Sequence, residues 1–311
     1  MARLSTVVQL RRYFFVLETL LSHRQGLDYN EMMEEWRHSS YNDFDEEVIP
    51  KRTLSGYFRE IESLFQITIS YDAHRRRYFL VNPDEIYDDT FKKRMLSGFA
   101  VNNILNNGNG ELRNRIMTEN IPSGEEFLIK ILNAMKSKKC ITVMYQKFSD
   151  KEAKKQQLEP YFLKLFHQRW YVVAKTVGGD KLRVYALDRI KDLTIDSQTF
   201  SCPKNIDVHT YFIDCFGIEH NTDDYDVEDI KLKVYNAHNK CQYIRALPLH
   251  HSQKELEKHD DYSIFQVTVY PTYDFMQEIL SHGNEIEVLE PLWVREEFKK
   301  KIATMLERYS K

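Results

Sequence analysis

The amino-acid sequence predicts a multidomain α+β protein. Three observations carry that reading: helix-period apolar spacing near the start, alternating apolar and polar residues from Cys140 to Leu187, and strands mixed with helices from Ile230 onward. At 311 residues the chain also exceeds one ordinary domain of roughly 100–200 residues.

From Ser5 to His23, Leu10, Phe14, Leu17 and Leu21 recur at helical spacing, and Gly26 ends the pattern. Asp28 followed by Glu31 has the form of a capping box, opening a second helix that buries Met32, Met33 and Trp36. The polar segment His38 to Val48, with Asp43, Asp45, Glu46 and Glu47, reads as a loop. A third helix starts near Pro50, with Leu54, Phe58, Ile61 and Phe65 as its apolar face and Lys51, Arg52, Ser55 and Arg59 opposite. Ile67 to Tyr71 and Tyr78 to Val81 alternate like two strands around a turn from Asp72 to Arg77. Three helices and a hairpin over residues 1–82 make a winged helix-turn-helix.

Residues 83–123 read as a helical linker, with a helix from Asp89 to Leu105 and the turn-rich run Asn106 to Gly110. Residues 124–200 open with a helix, Gly124 to Ser137. Strands at Cys140 to Phe148, Tyr161 to Phe166, Arg169 to Thr176 and Lys181 to Leu187 follow, with Gly178-Gly179-Asp180 as a hairpin turn. They predict a small antiparallel, barrel-like sheet, in which Arg183, Tyr185, Leu187 and Arg189 share one strand parity. Residues 201–311 form an α/β extension: strands at Ile230 to Asn236 and Tyr262 to Tyr270, a helix from Thr272 to Ser281, a short strand at Ile286 to Leu289, and a last helix from Pro291 to Tyr309.

Composition narrows the function. No apolar run reaches the roughly 20 residues needed to cross a bilayer, and the start has no secretion-type apolar segment with a cleavage site, so no membrane role and a cytoplasmic location are expected. Cys140, Cys202, Cys215 and Cys241 are scattered without a CxxC pair, which predicts plain reduced thiols and no metal. His250 and His251 adjoin, yet neighbouring histidines usually point apart and no third ligand stands at a metal spacing. No phosphate loop, nucleophile elbow, HExxH or dinucleotide turn occurs, so neither an enzyme nor a cofactor is predicted. The net charge of −3 gives no global pull on polyanions, and any nucleic-acid contact must be local.

Local basic surfaces exist. Lys51, Arg52, Thr53, Ser55 and Arg59 stand where side chains of a recognition helix reach base edges and phosphates of duplex DNA. The bland alternative is a solvated helix face. His74, Arg75, Arg76 and Arg77 cluster at the hairpin tip, where cations suit phosphate or minor-groove contact.

Arg169-Trp-Tyr-Val-Val173 and Leu182-Arg-Val-Tyr-Ala-Leu-Asp-Arg-Ile190 resemble the two best marks of the WYL family. Lys51-Arg-Thr-Leu54 and Arg59-Glu-Ile61 are similar to the recognition helix of the winged module that precedes WYL domains, and Phe275 to Pro291 resembles the extension that often follows them. The family often carries an arginine where Ala186 stands. The resemblance implies a bacterial transcription regulator, usually a homodimer, with an Sm-like small β-barrel that senses a nucleotide or oligonucleotide ligand; some relatives control anti-phage defence operons.

With that resemblance, Tyr145, His167, Arg169, Arg183, Tyr185 and Arg189 become candidates for holding a phosphate-bearing ligand, since guanidinium forks suit phosphates and aromatic faces suit bases. Arg245 is a further candidate toward the ligand of a partner subunit. Without it, core tyrosines and arginines paired to carboxylates such as Asp188 are the simpler reading. Trp170, between apolar strand residues, reads as a core anchor.

The expectation is therefore a ligand-modulated regulator, most simply a repressor, that binds a double-stranded DNA operator as a homodimer. A single-stranded nucleic-acid-binding module is the alternative, and a nucleic-acid-processing enzyme a distant third.

Overall fold

The computed structural model describes residues 6–42, 46–88, 92–93, 95–99, 101, 115, 117, 121–203, 207–220 and 225–310. The expected turn Asn106 to Gly110, Asp43, Asp45 and part of the expected helix Asp89 to Leu105 lie outside them. The chain divides into two compact units, residues 1–119 and 120–311.

The first unit is built from α1 (Thr6–Ser22), α2 (Tyr29–His38), α3 (Lys51–Phe65), the antiparallel hairpin β1 (Ile69–Asp72) and β2 (Arg77–Leu80), and the short α4 (Asp84–Asp88). The capping box forms as the sequence predicts: the Asp28 carboxylate accepts the Asn30 and Glu31 amides, and the Glu31 side chain accepts the Asp28 amide. Helix α1 is the hub of the unit. Phe14, Phe15, Val16, Leu17, Leu20 and Leu21 are all buried, a wider face than the single stripe in the sequence, because α2, α3 and β2 all pack against it. Ile86, Leu96 and Phe99, from the segment read as linker, join the same core, with Phe99 stacked on Phe14 at 3.7 Å between ring centroids.

A buried cation sits inside this apolar hub. Arg12 donates to both carboxylate oxygens of Glu46 at 2.7 and 2.6 Å and to the Tyr57 hydroxyl at 3.0 Å, which ties the segment ahead of α3 to α1 and α3. Gly26 is required where the chain turns into α2. Its φ is +80°, and a Cβ there would stand 2.5 Å from the Tyr78 carbonyl, just where Leu27 and Tyr78 exchange backbone hydrogen bonds.

The second unit opens with α5 (Glu125–Lys136), packed on a five-stranded antiparallel sheet of β3 (Lys139–Tyr145), β4 (Lys154–Phe166), β5 (Arg169–Thr176), β6 (Leu182–Ala186) and β7 (Ile190–Thr199), in the order β6-β5-β4-β3-β7. Strand β4 is long enough to pair with β3 through Lys154–Leu158 and with β5 through Leu158–Phe166, with a register shift between Pro160 and Phe162. The expected closed Sm-like barrel is not formed. The chain crosses from β6 to β7, at opposite edges, through the 3-10 turn Leu187–Arg189; the sheet curls, but among the described residues its edges share no ladder.

That turn also corrects the single strand face expected for Arg183, Tyr185, Leu187 and Arg189. Strand β6 ends at Ala186, Leu187 is fully buried, and Arg189 leaves from the turn. Gly124, with φ +71°, lets α5 start against the turn; a Cβ there would stand 2.3 Å from the Leu187 carbonyl carbon.

A helical turn, α6 (Val208–Tyr211), leads to a second antiparallel sheet of β8 (Glu228–Tyr235), β9 (Lys254–Lys258), β10 (Tyr262–Val269) and β11 (Ile286–Glu290), in the order β11-β8-β10-β9. Its apolar face is Ile230, Leu232, Val234, Phe265, Val267 and Val269. Helices α7 (Lys240–Ala246), α8 (Tyr273–Ser281) and α9 (Leu292–Tyr309) contribute Cys241, Ile244, Phe275, Met276, Ile279, Val294 and Phe298 to the same core. Among the described residues no helix is long and apolar enough to cross a membrane.

Candidate functional site

Four of the predicted ligand residues meet in one place. Tyr145 at the end of β3, Arg183 and Tyr185 on β6, and Arg189 from the 3-10 turn line a cleft of about 450 Å³, together with Lys147, Phe148, Ser149, Gln156 and Val184. The curl of the sheet brings the edge strand β6 to the same cleft as the end of β3, three places away in the strand order. Its lining holds three cations, Lys147, Arg183 and Arg189, and no carboxylate, which favours an anionic occupant.

The cleft has a fixed floor and an open aromatic wall. Tyr145 and Tyr185 are buried and meet edge to face at 5.2 Å, and the Tyr145 hydroxyl accepts the Ala186 amide at 3.2 Å. Burial pushes the Tyr145 phenol above its ordinary pKa, against the opposing pull of the Ala186 N–H and the Arg189 charge. Ala186, where the family often has arginine, is itself buried, so its amide, not its side chain, serves the site. Phe148 is 79% exposed, and the Arg189 guanidinium lies over its ring at 3.9 Å from the centroid. A planar base could stack on this wall while an arginine reaches its phosphate.

The other three candidates go elsewhere. Arg169 pairs with Asp188 at 3.5 Å and braces the 3-10 turn, the simpler role the sequence allowed for it. His167 sits at φ +44° in the tight β4–β5 turn, its ring against Phe166, and does not line the cleft. Arg245 is held by Glu255 at 2.6 Å, with Gln242 and Ser263 also accepting from it, and leaves little of its fork for a partner's ligand. Sequence reasoning missed Phe148, Lys147 and Gln156. The run Gln146-Lys-Phe-Ser-Asp150 did hold a signal, an aromatic beside a cation in an otherwise polar loop.

In the N-terminal unit, Lys51, Arg52, Ser55 and Arg59 are exposed on α3, Thr53 is half-buried, and Leu54, Tyr57, Phe58, Ile61 and Phe65 are buried opposite. The Ser55 hydroxyl donates to the Lys51 carbonyl, and the Lys51 ammonium lies 4.8 Å from the Tyr29 ring. At the hairpin tip His74, Arg75 and Arg76 are exposed, and the His74 and Arg75 amides donate to Asp72. Arg77 departs from the expected cluster: it donates to Glu31 at 2.6 Å and to the Gly26 carbonyl at 2.7 Å, fastening the hairpin to the cap of α2.

The adjacent histidines also differ from expectation, since the His250 and His251 rings do not point apart but lie 4.0 Å from one another. His250 Nδ1 is 2.7 Å from the Ser252 hydroxyl, which donates to the Thr268 carbonyl and accepts the Thr268 amide. Burial, reinforced by the His251 charge, pushes His250 down to about 4. Among the described residues no group of three or more potential ligands could hold a metal ion.

Residues 126–195, which carry the cleft, match the WYL domain, and residues 226–306 match the WCX domain. No curated protein matches the chain. Among solved structures it is similar to proteasome accessory factor B/C of Arthrobacter aurescens, at 16% identity and a TM-score of 0.36 over 93% of this chain and 45% of that one. The chain thus spans less than half the length of that structure. It is also similar to a CRISPR Cas-related protein, at 12% identity and a TM-score of 0.38 over 100% of this chain and 88% of that one. Both scores are too low for either likeness to bear on the fold. The chain thus carries a stretch that matches the WYL domain, residues 126–195, followed by one that matches the WCX domain, residues 226–306.

Proposed function

We propose that this protein is a DNA-binding transcription regulator, acting as a repressor, whose affinity for a duplex operator changes when a nucleotide or oligonucleotide occupies the WYL cleft. The observation that carries the reading is the pairing of two surfaces in one chain. One is the polar face of α3, with Lys51, Arg52, Ser55 and Arg59 exposed and the basic tip His74 to Arg76 following in the hairpin; the other is the aromatic-walled cleft, whose charged lining residues are all cations.

In this reading the three helices and hairpin of the first unit are a winged helix-turn-helix. Helix α3 enters the major groove and the hairpin tip reaches the flanking backbone. A homodimer presents two such helices to a two-fold site in cytoplasmic DNA. The ligand acts only insofar as it binds the two arrangements of the dimer with different affinity. The reading gives the protein no catalytic step and no cofactor.

The test is a duplex-binding titration at several salt concentrations, using DNA from immediately upstream of the protein's own gene and a scrambled duplex of equal length. Tight binding to the first, lost in an Arg52→Ala/Arg59→Ala variant, supports a sequence-reading regulator. Equal, weak binding to both duplexes with tight binding of a single strand would replace it with the single-stranded binding module.

A further inference from the structure

Two clefts of the second unit meet over the edge strand β6. The first is the cleft around Phe148 and Arg189. The second, of about 530 Å³, is lined by Tyr211, His220 and Tyr273, and Arg183 and Val184 line both. Arg183 is exposed and forms no hydrogen bond or ion pair with another described residue. An exposed guanidinium, unpaired among the described residues, therefore stands between two concave surfaces.

The second cleft shares Arg183 and an aromatic wall with the first. Tyr211 and His220 are stacked at 4.1 Å with planes 12° apart, and Tyr273 is 61% exposed. Burial lowers the His220 pKa and favours the neutral ring, which suits stacking on a base. The two carboxylates in its lining face the backbone. Asp274 accepts the Ile218 and Glu219 amides at 2.9 and 3.1 Å, and Glu219 accepts the Tyr273 amide at 2.9 Å. Each thus has its charge partly met by N–H dipoles and opposes an anionic ligand less than a free carboxylate would.

We propose that the two clefts are one site for a ligand with two planar bases joined by a phosphodiester. One base lies against Phe148, the other against Tyr273 and the Tyr211–His220 stack, and Arg183 takes the bridging phosphate. The inference rests on the reading of the first cleft as a nucleotide site and fixes the smallest ligand that fills it as a dinucleotide unit. Two neighbouring residues of a single strand and a cyclic dinucleotide share this chemistry.

The experiment is calorimetric titration of the full chain with adenosine monophosphate, the linear dinucleotide pApA and cyclic di-adenosine monophosphate. At least one dinucleotide is expected to bind tenfold or more tighter than the monophosphate, and which one does so identifies the source. Tyr273→Ala should erase that gain while leaving monophosphate affinity within twofold, Tyr273→Phe should retain it, and Phe148→Ala should weaken every probe. Equal affinity for one base and two, or a Tyr273→Ala variant that leaves the gain in place, overturns the two-cleft site while the first cleft stands. Absence of binding by all three probes, or binding indifferent to Phe148→Ala, removes the nucleotide reading and the inference together.

Discussion

The guanidinium of Arg189 lies 3.9 Å from the ring centroid of Phe148, and the two residues come from different connections of the WYL sheet, the β6–β7 turn and the β3–β4 loop. A cation held on one face of an exposed ring leaves the other face free, so the pair can grip a base and its phosphate at once. Phe148→Ala is expected to weaken nucleotide binding by about 1–3 kcal/mol, the range for losing one stacking platform. Arg189→Lys keeps the charge but not the planar fork and should also weaken it. The thermal midpoint of Phe148→Ala should stay near wild type, because the ring is mostly exposed. Unchanged affinity in both variants, measured by titration with a mononucleotide, would remove this pair from the site.

Much of this was legible in the sequence, and the exceptions have physical causes. The α3 face, the capping box at Asp28 and the apolar face of β10 follow directly from spacing, because one side of each element is buried and the other is wet. Strand β7 escaped notice because Ile190 and Leu193 are its only fully buried positions, so it lacks the two-residue alternation of a half-buried strand. Strand β9 is exposed at every position, Lys254 to Lys258, as a charged sheet edge is expected to be. The cleft was half legible. Tyr145, Arg183, Tyr185 and Arg189 could be named, but Phe148 joins them only through the curl of the sheet, a long-range property that local pattern does not encode.

The arginines of the hairpin tip divide by role. Arg77→Ala should lower the stability of the first unit, since it removes two hydrogen bonds that tie the hairpin to Gly26 and Glu31. An Arg75→Ala/Arg76→Ala variant should leave stability within about 0.5 kcal/mol, as for ordinary surface changes. It should instead weaken duplex binding and flatten its salt dependence by about one to two phosphate contacts. Denaturant melts beside salt-dependent binding curves separate the two; equal salt slopes for wild type and the double variant would remove the tip from the interface.

The Arg12–Glu46 pair makes an asymmetric forecast. The Arg12 side chain is 6% exposed and that of Glu46 35%, so removing Glu46 strands a buried cation, whereas removing Arg12 strands a carboxylate that water can still reach. Glu46→Ala is expected to cost about 3 kcal/mol, at the lower end of the range for breaking a buried pair from one side. Arg12→Met, which refills the space with an apolar chain, should cost less. Urea melts of the two single variants check the order, and a larger loss for Arg12→Met would show that packing of the arginine stem outweighs its charge.

His250 makes the second unit sensitive to mild acid. Burial, then the charge of His251, pushes its folded pKa down to about 4, below the ordinary histidine value near 6.5. Between those two values the unfolded chain binds the proton and the folded chain does not, so stability falls as pH drops from about 6.5 toward 4 and is insensitive to this group above 7. The native ring is fixed beside the Ser252 hydroxyl, which holds the Thr268 amide and carbonyl and so ties residues 250–252 to β10. His250→Gln should therefore flatten the pH dependence of the urea midpoint across this window while lowering it slightly at pH 7. A wild-type midpoint that does not decline between pH 7 and 5, or a variant that declines as steeply, would show that other groups dominate acid sensitivity.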